Sequence, residues 1–195
     1  MIYGVKESRM SRVVEEIADC SRCGLCAERR NPVPGEGDLS SPVVFIGEAP
    51  GRKEDEMGRP FVGSAGKMLD SLLSHVGLER EQVYVTNVVK CRPPGNRRPL
   101  KGEIRECTRY LNEQLMILTP RVLAPMGNSA AGHVLRRFQL ERSSIGEIHG
   151  RRFDVDAPWG RVAVYPFYHP AAVLYNRKLE PELRKDFEGL LELLG

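Results

Sequence analysis

Apolar positions along the chain fall into short continuous runs and helical stripes. Val43–Ile46 is a continuous apolar run that breaks into a Gly/Pro-rich loop. A strand covered on both faces of a parallel sheet reads this way. Downstream, Met68, Leu69, Leu72, Leu73 and Val76 recur at helical spacing. A second β-like run, Val83–Val89, ends in KCRPPGNRRPLK, and a helix is predicted from about Gly102 to Leu118, carrying Cys107. The third strand, RVLAPMG, feeds a helix through Leu135 with Asn128 or Ser129 as its N-cap. Two more β-like runs, Glu147–Val155 and Arg161–Phe167, are joined through DAPWG, and a helix from about Glu180 to Leu194 closes the chain. Strands alternating with helices predict a three-layer α/β/α fold on a mostly parallel four-stranded sheet.

Length and composition narrow the picture. The 195 residues suit one domain spanning 1–195. Hydrophobic residues at 41% and charged residues at 28% describe an ordinary globular protein. No apolar run approaches the ~20 residues that cross a bilayer. The stretch MIYGVKESRMSRVVEEIADC carries acids throughout and no apolar signal core, so a cytoplasmic, prokaryotic-type intracellular protein without a membrane role is expected. A net charge of +3 is too mild to imply nucleic acid. Arginine outnumbers lysine about threefold, however, and arginine is the better bidentate phosphate ligand.

Five cysteines without a signal peptide argue for a metal site or catalysis rather than a disulfide framework. Cys20, Cys23 and Cys26 form a C-x2-C-x2-C run, and Cys91 and Cys107 follow far downstream. Cys26 is followed by AERRNP, so the ferredoxin pattern fails. Four thiolates from five candidates form the expected site, and spacing alone leaves zinc and iron–sulfur both open.

Each strand ends in a loop with chemically loaded residues. Glu48, Glu54, Asp55 and Phe61 follow the first strand, Asn87 ends the second, and His169 ends the last. In an open α/β sheet these ends share one side, so a carboxylate, an amide, a ring and an imidazole converge there. That set suits recognition of a planar heterocycle with hydrolysis nearby.

Four blocks then carry a resemblance. GEAPG (Gly47–Gly51) with GRPFVGSAG (Gly58–Gly66), VTNVVKCRPPGNRRPL (Val85–Leu100), MGNSAA (Met126–Ala131) and FYHPA (Phe167–Ala171) resemble the motifs of family 4 uracil-DNA glycosylases. The resemblance runs from Cys20 to about Asn176. It implies the fold of that family, a 4Fe–4S cluster on Cys20, Cys23, Cys91 and Cys107, and Cys26 packed and unligated. It further implies excision of uracil from double- or single-stranded DNA by a monomeric, monofunctional hydrolase. Phe61 stacks on the flipped uracil, Asn87 bonds its N3–H and O4, Glu54 crowds C5, and Gly47 and Ala49 line the pocket. His169 stabilises the departing uracil anion, and Glu48 positions the attacking water, since Ala49 stands where family 1 enzymes have aspartate. Arg92, Arg97, Arg98 and Lys101 suit DNA phosphates, with Arg177 also near them, and Val173 and Leu174 are the candidate apolar wedge. Two competing readings are a binding-only family member and an electron-transfer iron–sulfur protein. Retention of Glu48, Phe61, Asn87 and His169 opposes the first, and the lack of a second cofactor motif opposes the other.

Overall fold

The apolar run at 43–46 lies in a strand, β2 (Val43–Gly47), whose residues are all buried. The computed structural model describes residues 2–195. Around β2 lie β1 (Glu36–Gly37), β3 (Tyr84–Asn87), β4 (Val122–Pro125), β5 (Phe153–Ala157) and β6 (Gly160–Val164). They form one sheet in the order β1-β3-β2-β4-β6-β5. The predicted four parallel strands are its centre, β3-β2-β4-β6. Antiparallel β1 and β5 extend the two edges, making six strands rather than four.

The helices are α1 (Ile2–Ala18), α2 (Arg52–Met57), α3 (Ser64–His75), α4 (Lys101–Leu118), α5 (Gly127–Arg137), α6 (Ile145–Ile148), α7 (Pro170–Tyr175) and α8 (Glu180–Leu194). Side chains alternate faces along a strand. Val44 and Ile46 therefore meet Met10, Val13 and Ile17 of α1, Leu111 and Leu115 of α4, and Val134 of α5 in one core. Val43 and Phe45 meet Leu69, Leu72 and Leu73 of α3 and Leu183, Phe187 and Leu190 of α8 in the other. Phe187 stacks on Phe45 at 5.7 Å between centroids. Complete burial of such a ring contributes about 1.5–3 kcal/mol. Among the described residues, no helix is long and apolar enough to cross a membrane.

Three local expectations change. The β-like run from Glu147 is helical at its start, because Glu147 accepts the Ser144 N–H at 2.9 Å in a capping box that opens α6. The strand proper begins at Phe153. Neither Asn128 nor Ser129 caps α5. The helix starts at Gly127, and the Asn128 side-chain oxygen instead accepts the Ile145 N–H at 2.9 Å, tying α5 to α6. The β3 ladder ends at Asn87, although Val88 and Val89 still donate to the carbonyls of Gly47 and Glu48.

Candidate active site

Gly47 and Asn87 are register partners at the C-terminal ends of β2 and β3. A Cβ on Gly47 would stand 2.3 Å from Asn87 Oδ1 and 2.7 Å from Phe61 Cζ. Glycine at that position is what lets the amide and the ring approach each other. Ala49, Glu54, Phe61, Asn87, Asn96 and His169 line a cleft of about 390 Å³ above these strand ends. Small-molecule sites are typically on the order of 300–1,000 Å³.

Phe61 is 7% exposed and has a left-handed φ of +51°. A non-glycine residue there stores about 1–3 kcal/mol of strain and persists only when its surroundings fix it. Three contacts do so. Glu54 Oε1 accepts the N–H groups of Val62 at 2.9 Å and Gly63 at 2.8 Å. Arg80 donates to the carbonyl of Pro60 at 2.6 Å and reaches that of Phe61 at 3.5 Å. Gly66 makes room for the loop, since a Cβ there would overlap the Phe61 carbonyl oxygen at 1.7 Å. Asn87 is 2% exposed as a residue, and its side chain lines the cleft.

His169 precedes α7 and caps it. Its Nδ1 accepts the Ala171 N–H at 3.1 Å, so in the neutral ring the proton sits on Nε2. Burial pushes the His169 pKa below the usual histidine range, and the Glu54 carboxylate offsets this only in part. The imidazole is therefore a neutral Nε2–H donor at neutral pH. Its ring lies 5.8 Å from that of Phe61, with 30° between the planes. Gly127, at φ +83°, passes under it, where a Cβ would be 3.1 Å from His169 Cβ. Glu48 is half-buried beside the cleft and is not among its lining residues, whereas Ala49 is.

The surface around the cleft sorts the expected DNA contacts. Val173, expected as part of an apolar wedge, is 1% exposed and packs in the α3–α8 core, on the face of α7 that the domain buries. Leu174 is 48% and Tyr175 91% exposed on the opposite face. Arg98 and Arg177 are exposed as well. Arg97 is not a free cation, because it makes a two-pronged pair with Glu103 at 2.7 and 2.8 Å and thereby holds the loop to α4. The same pair keeps the Glu103 carboxyl below its usual range. Arg92 donates to Asn96 at 2.7 Å, bracing the turn that places Asn96 in the cleft.

A second cavity is lined by all five cysteines, with Arg29, Lys90 and Tyr110. Cys20 and Cys23 follow α1, Cys91 follows β3 and Cys107 lies on α4. All five are free thiols. Arg29 donates to Cys91 Sγ at 3.0 Å, and the Lys90 N–H to Cys107 Sγ at 3.2 Å. Burial pushes the Cys23 and Cys91 thiols up and Cys107 to about 11. Cys26, expected to be packed and unligated, is half-buried and lines the same cavity. Among the described residues, no three cysteine, histidine or acidic side chains converge on one ion position.

Sequence reasoning passed over Arg80, Asn96 and Lys90. Buried Lys90 joins the two cavities: it lines the cysteine cavity, and its Nζ donates to the Asn87 carbonyl at 2.8 Å and to Thr86 Oγ1 at 2.7 Å. Its only sequence signal is a lysine closing an apolar run. Arg80 carries no local signal, because its partners lie about 20 residues away in Pro60 and Phe61.

Residues 34–193 match the model of the uracil DNA glycosylase superfamily. The type-4 uracil-DNA glycosylase of Archaeoglobus fulgidus is 46% identical over 184 residues, covering 94% of this chain and 92% of that one. The type-4 uracil-DNA glycosylase of Thermotoga maritima is 41% identical, covering 90% and 88%. The type-5 uracil-DNA glycosylase of Thermus thermophilus is 34% identical over 67% of this chain and 65% of its own. With the match spanning nearly the whole sheet and both walls of the cleft, the chain belongs to the uracil DNA glycosylase superfamily, in its type-4 branch.

Proposed function

We propose that this protein flips deoxyuridine out of DNA and hydrolyses its N-glycosidic bond, releasing uracil and leaving an abasic site in an uncut strand. The observation that carries this reading is one cleft lined together by the Asn87 amide, the Phe61 ring and the His169 imidazole. Asn87 Oδ1 accepts the uracil N3–H while its amide N–H donates to O4. Cytosine presents the opposite pattern there, and a site built for one pattern rejects the other by ~10⁴ or more.

Flipping costs a few kcal/mol of lost stacking. Phe61 restores a stacking surface in the cleft, and Leu174 enters the space the base leaves, partly offsetting the cost. As the bond breaks, the sugar gains oxocarbenium character and uracil gains negative charge. His169 Nε2–H stabilises that charge at uracil O2, and a neutral donor does so without carrying a proton into the leaving group. Glu48 positions the water that attacks the sugar. Glu54 borders the C5 edge of the base while anchoring the Phe61 loop. Arg92, Arg98 and Arg177 hold phosphates that set the register of the strand.

Cys20, Cys23, Cys91 and Cys107 hold a 4Fe–4S cluster in the same proposal. Four-thiolate zinc requires four sulfurs about 2.3 Å from one ion. Thiols spread around a cavity without a common ion position suit a cluster whose irons each take one thiolate. When bound, the cluster supplies a cross-link between the segment after α1, the end of β3 and α4. Arg29 and the Lys90 N–H are placed to donate to its sulfur ligands.

The test is an end-labelled oligonucleotide with a single deoxyuridine, incubated with protein and then alkali, beside thymine and cytosine controls. Cleavage only with uracil and only after alkali is expected. No cleavage by a brown, iron-loaded preparation overturns the reading.

A further inference from the structure

A groove of about 470 Å³ runs between α4 and α5, away from both cavities, lined by Lys101, Arg105, Thr108, His133, Arg136 and Arg137. No acidic side chain lines it. Some arginines elsewhere face carboxylates: Arg80 meets Glu36 and Asp70, Arg97 meets Glu103, and Arg184 meets Glu180. Among the described residues, Lys101, Arg136 and Arg137 make no ion pair, and Arg105, 79% exposed, touches only its sequence neighbour Glu106 at 3.3 Å. Arg137 donates to the Asn112 side chain, and its buried Nε has no partner.

The local physics opposes this arrangement. Lys101 and Arg105 are like charges at i, i+4, a spacing that costs a helix about 0.2–0.5 kcal/mol. They also stand in the first turns of α4, where the helix dipole disfavours cations. His133 sits among the cations, and burial together with Arg136 and Arg137 lowers it to about 4. A bound polyanion would offset the repulsion among these cations and their unfavourable place at the start of α4. Position supplies the second argument. Lys101 follows the loop whose Asn96 lines the catalytic cleft and whose Arg98 is exposed, so the groove continues that basic loop down the side of the domain.

We propose that the α4–α5 groove binds the phosphate backbone of DNA flanking the flipped nucleotide. This rests on the glycosylase reading, and the experiment separates the two. Arg105→Gln/Arg136→Gln removes two exposed cations that line neither the cleft nor the cysteine cavity. Two probes are used: a short single-stranded deoxyuridine oligonucleotide that cannot reach the groove, and a long uracil-free duplex followed by fluorescence anisotropy across a salt series. The variant should excise uracil from the short oligonucleotide at the wild-type kcat. On the duplex, the slope of log K against log salt should become shallower by about 1.8, at about 0.9 for each lost phosphate contact. An unchanged slope and affinity overturn the proposal. Unchanged duplex binding with loss of binding to a polyglutamate peptide also overturns it and assigns the groove to an acidic protein segment. If the wild type releases no uracil from the short oligonucleotide, the glycosylase reading fails, while the uracil-free duplex still decides the groove.

Discussion

In the proposed mechanism Glu54 borders the base and also anchors the Phe61 loop, and replacing it separates the two roles. A side chain that only crowds C5 would, on truncation, admit thymine and leave uracil excision intact. The geometry assigns it a larger part, because its Oε1 accepts both N–H groups that follow the left-handed Phe61. Hydrogen bonds to a charged group contribute about 1.5–3 kcal/mol each when sheltered. Glu54 is half-buried, so screening reduces each to about 1–2 kcal/mol. Glu54→Ala therefore releases about 2–4 kcal/mol of restraint on a segment that already stores about 1–3 kcal/mol of strain. Phe61 then relaxes out of its position in the cleft. At about 1.4 kcal/mol per factor of ten, kcat/KM for uracil should fall by roughly 10²-fold. Glu54→Gln keeps one oxygen able to accept both N–H groups, so its loss should stay within about tenfold. The assay is single-turnover excision from uracil and thymine oligonucleotides by the three proteins, with urea unfolding to confirm that each is folded. An Ala variant that excises uracil at the wild-type rate while gaining thymine would refute the anchoring argument.

His169→Ala should lower excision by about 10²–10³, the usual effect of losing one donor to a developing anion. Because burial lowers the His169 pKa, the neutral donor dominates down through neutral pH. The rate should therefore hold there and decline only as pH falls below the ordinary histidine range; a rate that rises on acidification would exclude the neutral donor. Gly47→Ala places a methyl 2.3 Å from Asn87 Oδ1. It should nearly abolish excision while thermal unfolding shows a stability loss of only about 1–3 kcal/mol. Val173→Ala should cost about 1–2 kcal/mol in urea unfolding with DNA affinity retained. Leu174→Ala should leave stability unchanged and slow excision from duplex more than from single strands; the reverse pattern would restore Val173 as the wedge.

Much of this molecule is written locally. The buried run Val43–Ile46, the stripe Met68–Val76 and the closing helix at 180–194 follow from periodicity, because each buries its apolar residues against whatever layer covers it. Phe61, Asn87 and His169 stand out for a different reason, as an aromatic ring, an amide and an imidazole at strand ends or in the loop that follows one. Helix α1 carries a readable signal too, Met10, Val13 and Ile17 at helical spacing. Other features have no local signature. The two-residue strand β1 exists because Gly37 fits where a Cβ would lie 1.9 Å from the Val83 carbonyl oxygen. Arg80 is identifiable as a brace only once Pro60 is seen beside it. Val173 and Leu174 are equivalent apolar neighbours in sequence, yet one faces the core and the other solvent, since adjacent residues on a helix point in directions about 100° apart. The tautomer of His169, the open amide of Asn87 and the shared wall of five cysteines likewise arise from contacts between distant segments. Periodicity reports which residues must leave water; which of them then meet depends on how the layers dock, and that is a property of the folded chain.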